Sequence, residues 1–440
     1  MQPLWLRQVS VLPGPGQSIE TTDALIDPAG ALLNWGDQVG SSAQDQGLTP
    51  IEASGWLLAP TLVDPHSVLD DPLGGRCETL ASLARAAAAG GYGTVALLPW
   101  ASWWRDRPER LGLRWPEPMR LRLWGSFSLE GSDQDLAGHA DQLAAGAVGL
   151  AGGQERPPLS LLERGLALGE MGAAPVLVAP RQASLCASGF VREGVEALRA
   201  GWPPDPTVSE TLPLQSLLAL GALPGSKNLV LMNISTAAGV ELLEQQRSLG
   251  KAGDQLPRAS VGWWHLVADS GQLDPTAEGW RIVPSLGSPR DREALIAGLA
   301  CGLITAVAVH HSPLDAEEQL LPLDQRRPGV AGHGAPRGLV LPQLWQELVA
   351  RRGWTPAQLW QVLCWGGSQL LGETPERLEI GSHRWLLFDP EASWTWRPQD
   401  SLSLAANQPL LGAALKGQIL ATGLTEAEDW LLSASTPPCG

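Results

Sequence analysis

Residues 64–70 read Asp-Pro-His-Ser-Val-Leu-Asp, and they end an apolar run over 56–63, Trp-Leu-Leu-Ala-Pro-Thr-Leu-Val. A β-favouring run that stops at a histidine, acids and prolines reads as a buried strand delivering polar groups to its C-terminal end. Side chains alternate faces along a strand, so a His-x-His pair would aim two imidazoles at one divalent ion. Here His66 stands at the first position and Val68, which has no lone pair, at the second. One imidazole is not a metal site; at a strand end it is first a hydrogen-bonded pocket residue. Three more histidines fall at expected strand ends: His265, beside Trp263 and Trp264, and the pair His310 and His311. With His66 they could converge on a rebuilt metal site, but no acid is spaced to complete it.

The elements that must position these residues alternate. Strands are expected over 56–63, 93–98, 121–124, 147–150, 175–179, 229–233, 260–265 and 304–309. Helices are expected over 78–89, 134–145, 159–169, 209–220, 237–249, 290–299, 339–350 and 355–363. Pro289 before Arg290 and Asp291, and Thr355 before Pro356, are start signals. Such alternation marks a parallel sheet covered by helices. Eight strands argue for an α/β protein built as a (β/α)8 barrel, with its chemistry at the C-terminal strand ends; an open doubly wound sheet is the competing architecture. Residues 1–55 hold short apolar pieces between Gly, Pro and Asp turns, and 384–397 is again strand-like. The two ends are expected to pair as one accessory β unit of residues 1–55 and 376–440, leaving 56–375 for the barrel.

Composition bounds the function. A chain of 440 residues holds a barrel and a smaller domain. Charged residues make up only 17%, and Gly numbers 50, Pro 37 and Trp 20, an apolar and loop-rich globular composition. A net charge of −16 opposes nonspecific binding to nucleic acid or to anionic membranes. No signal-peptide pattern opens the sequence and no long apolar run suggests a membrane span, so a cytoplasmic location is expected. The five cysteines, Cys77, Cys186, Cys301, Cys364 and Cys439, lack C-x-x-C spacing and read as single buried thiols.

The stretch 64–70 resembles the metal-binding first strand of the amidohydrolases, and among them of the dihydroorotases, in which Asp-Pro precedes His-x-His and then an arginine. Further segments match in order: Glu78 to Val95 resembles the family's first barrel helix and second strand, and Asn233 to Thr236 with Gly239 to Leu242 its sixth-strand segment. Pro284 to Leu286 with Asp291 to Leu295 resembles the loop and helix after the seventh strand, and Val309 to Pro313 its Thr-Asp-His-Ala-Pro motif. Gly381, Trp385 to Pro390, Gly412 and Gly417 resemble its closing β segment. The resemblance spans nearly the whole chain and implies an amidohydrolase-type TIM barrel with an accessory β-sandwich formed by both termini.

What the resemblance implies for chemistry is mostly loss. The family uses one or two divalent ions, usually zinc, to activate a water, and an aspartate to handle the proton. Its second first-strand histidine is Val68 here; its bridging carboxylate or carboxylated lysine falls in Leu150-Ala151-Gly152-Gly153; its fifth-strand histidine is Ala179; its sixth-strand histidine is Asn233; its catalytic aspartate is His310. The arginine and asparagine that hold the substrate carboxylate are matched by Asp70 and Trp100. The expected pocket is therefore vestigial, made of His66, Val68, Asp70, Trp100, Ala179, Asn233, His310 and His311, with no catalytic or metal-binding role and with tryptophans filling the mouth. Some inactive members of the family assemble with aspartate transcarbamoylase, so the resemblance implies an oligomer and that enzyme as a partner in pyrimidine biosynthesis. The alternatives are a zinc-dependent hydrolase of cyclic amides and a small-ligand binding module that uses the old pocket.

Overall fold

Thr61 divides the run that leads to His66. In the computed structural model, which describes residues 2–432 except 73, 187, 224–225, 227, 251–255, 273–278 and 323, Leu57–Pro60 and Leu62–Ser67 are separate strands in separate sheets. Leu57–Pro60 runs parallel to Leu4–Val11 and antiparallel to Trp385–Thr395, whereas Leu62–Ser67 runs parallel to Tyr92–Leu97. The single strand expected over 56–63 is thus corrected to two. Pro60 has no N–H to continue a ladder, and both halves are buried throughout, so hydropathy carried no sign of the break.

The two chain ends do pair. Leu4–Val11, Glu20–Ile26, Leu32–Trp35, Pro50–Glu52, Leu57–Pro60, Trp385–Thr395 and Ala414–Thr422 form one hydrogen-bonded sheet. The central region is α/β with parallel strands. One sheet orders Ala306–Ala308, Arg258–Gly262, Leu229–Leu231, Val176–Val178, Leu150–Ala151 and Gly125–Ser126; the other orders Leu62–Ser67, Tyr92–Leu97 and Arg120–Leu123. Arg120–Leu123 and Gly125–Ser126 are consecutive halves of one passage through Trp124, so the two sheets share it. At the opposite edges, Val68 N–H donates to the His311 carbonyl (2.8 Å) and His310 N–H to the His66 carbonyl (3.1 Å).

Helices alternate with these strands. Leu80–Ala89, Pro289–Ala300 and Pro356–Trp360 each open with a capping box, from Thr79 with Ser82, Ser288 with Asp291, and Thr355 with Gln358. The helix expected over 134–145 is shortened to His139–Ala144, because the backbone of Asp135 and Ala137 is bonded to Leu129 and Phe127 instead. Gly91 and Gly93 allow close packing: a Cβ on Gly91 (φ +77°) would stand 2.6 Å from the Leu386 side chain, and one on Gly93 about as close to Thr61. Of the cysteines, Cys77, Cys186 and Cys364 are buried as expected. Cys301 is exposed, because it closes the surface helix Pro289–Ala300, and Cys439 lies outside the described residues. Among the described residues no helix is long and apolar enough to cross a membrane.

A buried polar clamp holds the edges with Leu62–Ser67 and Ala306–Ala308 together. Asp64 is fully enclosed; one carboxylate oxygen accepts from Val309 N–H (3.0 Å), and the other accepts from Ser67 Oγ and lies 3.2 Å from His333 Nε2. Ser67 Oγ in turn accepts from His311 N–H at 2.8 Å. His311 Nδ1 accepts from His333 N–H (3.2 Å), and its Nε2 faces Glu78 at 3.3 Å, within ion-pair reach. Burial pushes the Glu78 carboxyl up, but His311, Ser403 and Ser82 outweigh it and hold the group below its usual range. Removing Asp64 strands donors from three segments in an interior that cannot hydrate them. Asp64→Ala is expected to destabilise the fold by about 3 kcal/mol, read from urea denaturation; a loss within about 0.5 kcal/mol, the size of an ordinary surface change, would contradict the clamp.

Candidate functional site

His66, at the end of Leu62–Ser67, has both ring nitrogens engaged. Nδ1 lies 3.0 Å from His310 Nδ1, and Nε2 lies 2.8 Å from Ser260 Oγ, which also accepts from Asn233 N–H at 3.0 Å. The rings of His66 and His310 meet edge to face, with centroids 5.0 Å apart. One proton fits between two Nδ1 atoms, so one imidazole donates and the other accepts, and the pair is held in matched tautomers. Burial drives both rings toward the neutral form; His66 falls well below its ordinary range and His310 to about 4.

Two of the residues around this pair have left-handed backbones, Asn233 at φ 57° and His310 at φ 46°. Asparagine tolerates that region; histidine does so at a cost, which the contact with His66 helps to offset. Trp100 faces His310 edge-on at 6.0 Å and donates from its indole N–H to the Gly152 carbonyl (2.8 Å). The indole therefore bridges the mouth to the loop after Leu150–Ala151, where the resemblance places a carboxylate. Trp104 packs against Gly131 and Gly153, whereas Trp103 faces outward under Arg110. Filling of the mouth by tryptophan thus holds for Trp100 and Trp104, not Trp103.

What space remains is divided. One small cavity is lined by Asn233, His265, His310 and Gln154; a second by Trp100, Ala179, Asn233, His310 and Gln154; and a larger open cleft by Val68, Asp70, Trp100 and Gln154. Of the residues expected in the pocket, Val68, Asp70, Trp100, Ala179, Asn233 and His310 gather here, and His66 lies beneath His310. His311 does not: it points the other way into the clamp with Glu78 and His333, because the chain has left the strand Ala306–Ala308 and turns at the left-handed His310. His265, expected at a strand end, sits in the short helix Trp264–Val267, with Nε2 3.0 Å from the Pro284 carbonyl and Nδ1 enclosed without a partner. Asp70 is not a bare acid; Arg327 reaches it at 2.7 Å and also pairs with Glu318.

Three residues of the region do not follow from any sequence motif: Ser260, which bonds His66; Gln154, which touches all three spaces; and His333, which faces Asp64. Gln154 directly follows Leu150-Ala151-Gly152-Gly153, so position alone could have found it. Behind Asn233, a buried cluster fixes the backbone: Glu210 accepts from Ser235 N–H (3.0 Å) and Thr236 N–H (3.1 Å), and Arg192 bonds Glu210, Asp205, Ser209 and Ser235.

A catalytic zinc asks for three protein donors and a water. The matched positions offer the two imidazoles of His66 and His310, already bonded to each other, beside Val68, Ala179 and an amide at Asn233. Among the described residues no three His, Cys, Asp or Glu side chains converge to hold a metal ion. The donors present do not fit that ion.

Comparison with known proteins gives the lineage. No family model matches the chain. A "Probable dihydroorotase-like protein" of Synechocystis is 32% identical over 447 residues, covering 92% of this chain and 96% of the relative. The dihydroorotase of Solibacter usitatus is 26% identical over 392 residues, covering 87% and 89%. Among solved structures, the dihydropyrimidinase of Brevibacillus agri has a TM-score of 0.71 at 19% identity, covering 96% of this chain and 93% of its own, and the L-hydantoinase of Arthrobacter aurescens has 0.71 at 17%, covering 96% and 94%. Those structures share the fold over nearly all of both chains. With a likeness that runs end to end in both sequence and structure, the chain belongs to the dihydroorotase-like family.

Proposed function

We propose that this protein is a non-catalytic dihydroorotase-like protein, whose strands close as a (β/α)8 barrel with an accessory β-sandwich and which serves assembly instead of ring hydrolysis. The observation that carries the reading is the 3.0 Å contact between His66 Nδ1 and His310 Nδ1. It commits Nδ1 of both rings to each other, so neither Nδ1 can coordinate a metal without breaking the contact. The substrate side supports the same reading, since Trp100 spans the mouth and Asp70 with Arg327 stands where the family's carboxylate-binding arginine is matched. Aspartate transcarbamoylase is the proposed partner, and the chemistry lost is the opening of a cyclic amide.

The test is direct. Protein purified without chelator is expected to carry zinc far below one equivalent by elemental analysis and to leave dihydroorotate unchanged. Stoichiometric zinc with turnover would establish the zinc-dependent hydrolase instead. Val68→His alone should restore neither, because Ala179 and Asn233 still withhold donors. On size-exclusion chromatography, the protein and the aspartate transcarbamoylase of the same cell are expected to share a peak; separate elution over a concentration series would remove that partner.

The pair also sets a pH dependence. His66, His310 and His265 are held neutral in the fold by burial, the last two at about 4, against about 6.5 in an unfolded chain. Between those values the unfolded chain binds more protons, so this stability is complete above about pH 6.5 and is lost as pH falls toward 4. Each histidine steepens the decline by up to about 1.4 kcal/mol per pH unit. His310→Gln should flatten the fall measured by thermal unfolding at stepped pH; an unchanged slope would show that His310 is not held neutral.

A further inference from the structure

The antiparallel strands Trp385–Thr395 and Ala414–Thr422 are joined by residues 396–413. Such neighbours can be joined by two residues, and loops beyond about 12–15 are uncommon unless they do something. Here the extra length leaves the accessory sheet and reaches the mouth. Asn407 is fully enclosed; its Nδ2 donates to the Ser312 carbonyl (2.9 Å), its Oδ1 accepts from Leu314 N–H (2.9 Å), and its carbonyl accepts from Ala331 N–H (3.2 Å). Ala406 N–H adds a bond to the Leu314 carbonyl (2.7 Å). Ser312, Pro328, Gly329 and Val330 line the cavity beside His265 and His310, and Ser312 and Leu314 line the cleft, whereas none of the described residues 396–413 lines either. The loop holds the wall of the mouth from behind.

The attachment is uneven. Ser403 Oγ donates to the Glu78 carboxylate, a charge-assisted bond, whereas the bonds of Asn407 and Ala406 join neutral groups and are about half as strong. From Ser401 to Gln408 the loop is a unit: the Gln408 amide donates to the Ser403 and Ala405 carbonyls (3.3 and 2.7 Å) and accepts from Ser401 Oγ (2.7 Å). Just beyond, Leu410 sits at φ +65°, a left-handed backbone that leucine adopts at a cost, so the seated loop is held against strain. Leu404 and Leu411 stand exposed, so this stretch is not packed under another layer of the described chain.

We propose that residues 404–410 are a latch on the mouth: the loop turns about Ser403, withdraws Asn407, and frees the stretches 312–314 and 328–331 to move away from His310, opening the pocket to small solutes. This is regulation of the pocket, and it rests on the non-catalytic reading only for where that pocket lies. Zinc content and turnover decide that reading, and neither enters the test of the latch.

Amide-resolved hydrogen exchange of the full-length wild-type protein at neutral pH is the first test. The N–H groups of Ala406, Leu314 and Ala331 bond across the join, whereas those of Ser312 and Gly329 bond to the Val330 and Arg281 carbonyls. All five are expected to open with one equilibrium constant, at least about tenfold larger than that of the strand Leu229–Leu231. Constants that differ among the five by more than about tenfold, or amides that open only together with that strand, overturn the latch. Asn407→Ala is then expected to speed exchange at Ser312 and Gly329 by about tenfold and leave Leu229–Leu231 unchanged. Acceleration confined to Leu314 and Ala331, or equal in the strand, makes Asn407 an ordinary structural bond and overturns the proposal. Solute entry is read by diethyl pyrocarbonate, with His139 as the matched control, since both it and His265 have Nε2 on a backbone carbonyl and an enclosed, unpartnered Nδ1. The variant should raise modification of His265 relative to His139; an unchanged ratio overturns the latch.

Discussion

A nitrogen lone pair can serve a metal ion or a hydrogen bond, and at the mouth of this protein the hydrogen bond has it. The contact between His66 and His310 joins the first and last parallel strands at their C-terminal ends and turns two polar side chains into each other's partners. Ser260 holds the far side of the His66 ring, and through the Asn233 N–H it ties in the segment after Leu229–Leu231. A buried imidazole without a partner would cost as much as it could contribute. Here the pair satisfies itself, and its arrangement needs no ion at its centre.

The face behind the mouth is built on different logic. Asp64, Ser67, His311 and His333 are joined by hydrogen bonds, with Glu78 within ion-pair reach of His311, all sealed from solvent between the strand Leu62–Ser67 and the segments that follow His310. Adjacent residues thus divide their roles, with His310 turned toward the cavities and His311 toward the clamp. Changes at the mouth leave the clamp intact, because the two sets share a backbone and no side chain. That separation lets side chains on the cavity side vary while the buried polar contacts behind them stay in place.

Much of this was legible in the sequence where a local pattern carries it. Alternating strands and helices and the caps at Ser288 and Thr355 rest on periodicity and start signals, whereas the return of the C-terminal strands to the N-terminal sheet was expected from the family resemblance. The break at Thr61 was not legible, since both halves of the run are buried and equally apolar. Nor were Ser260, His333 and Asn407, whose partners are residues brought together from distant segments. Position gave the identity of the pocket residues, but only the backbone could separate His310 from His311.

The N-terminal sheet carries an implication for how the chain is made. Leu57–Pro60 lies between Leu4–Val11, synthesised early, and Trp385–Thr395, synthesised late. While the ribosome translates the intervening three hundred or so residues, the hydrophobic flank of that short strand stays open, a template for any extended peptide nearby. Nascent chains therefore run their longest risk of wrong pairing on the segment next to His66, until the last strands emerge to cover it.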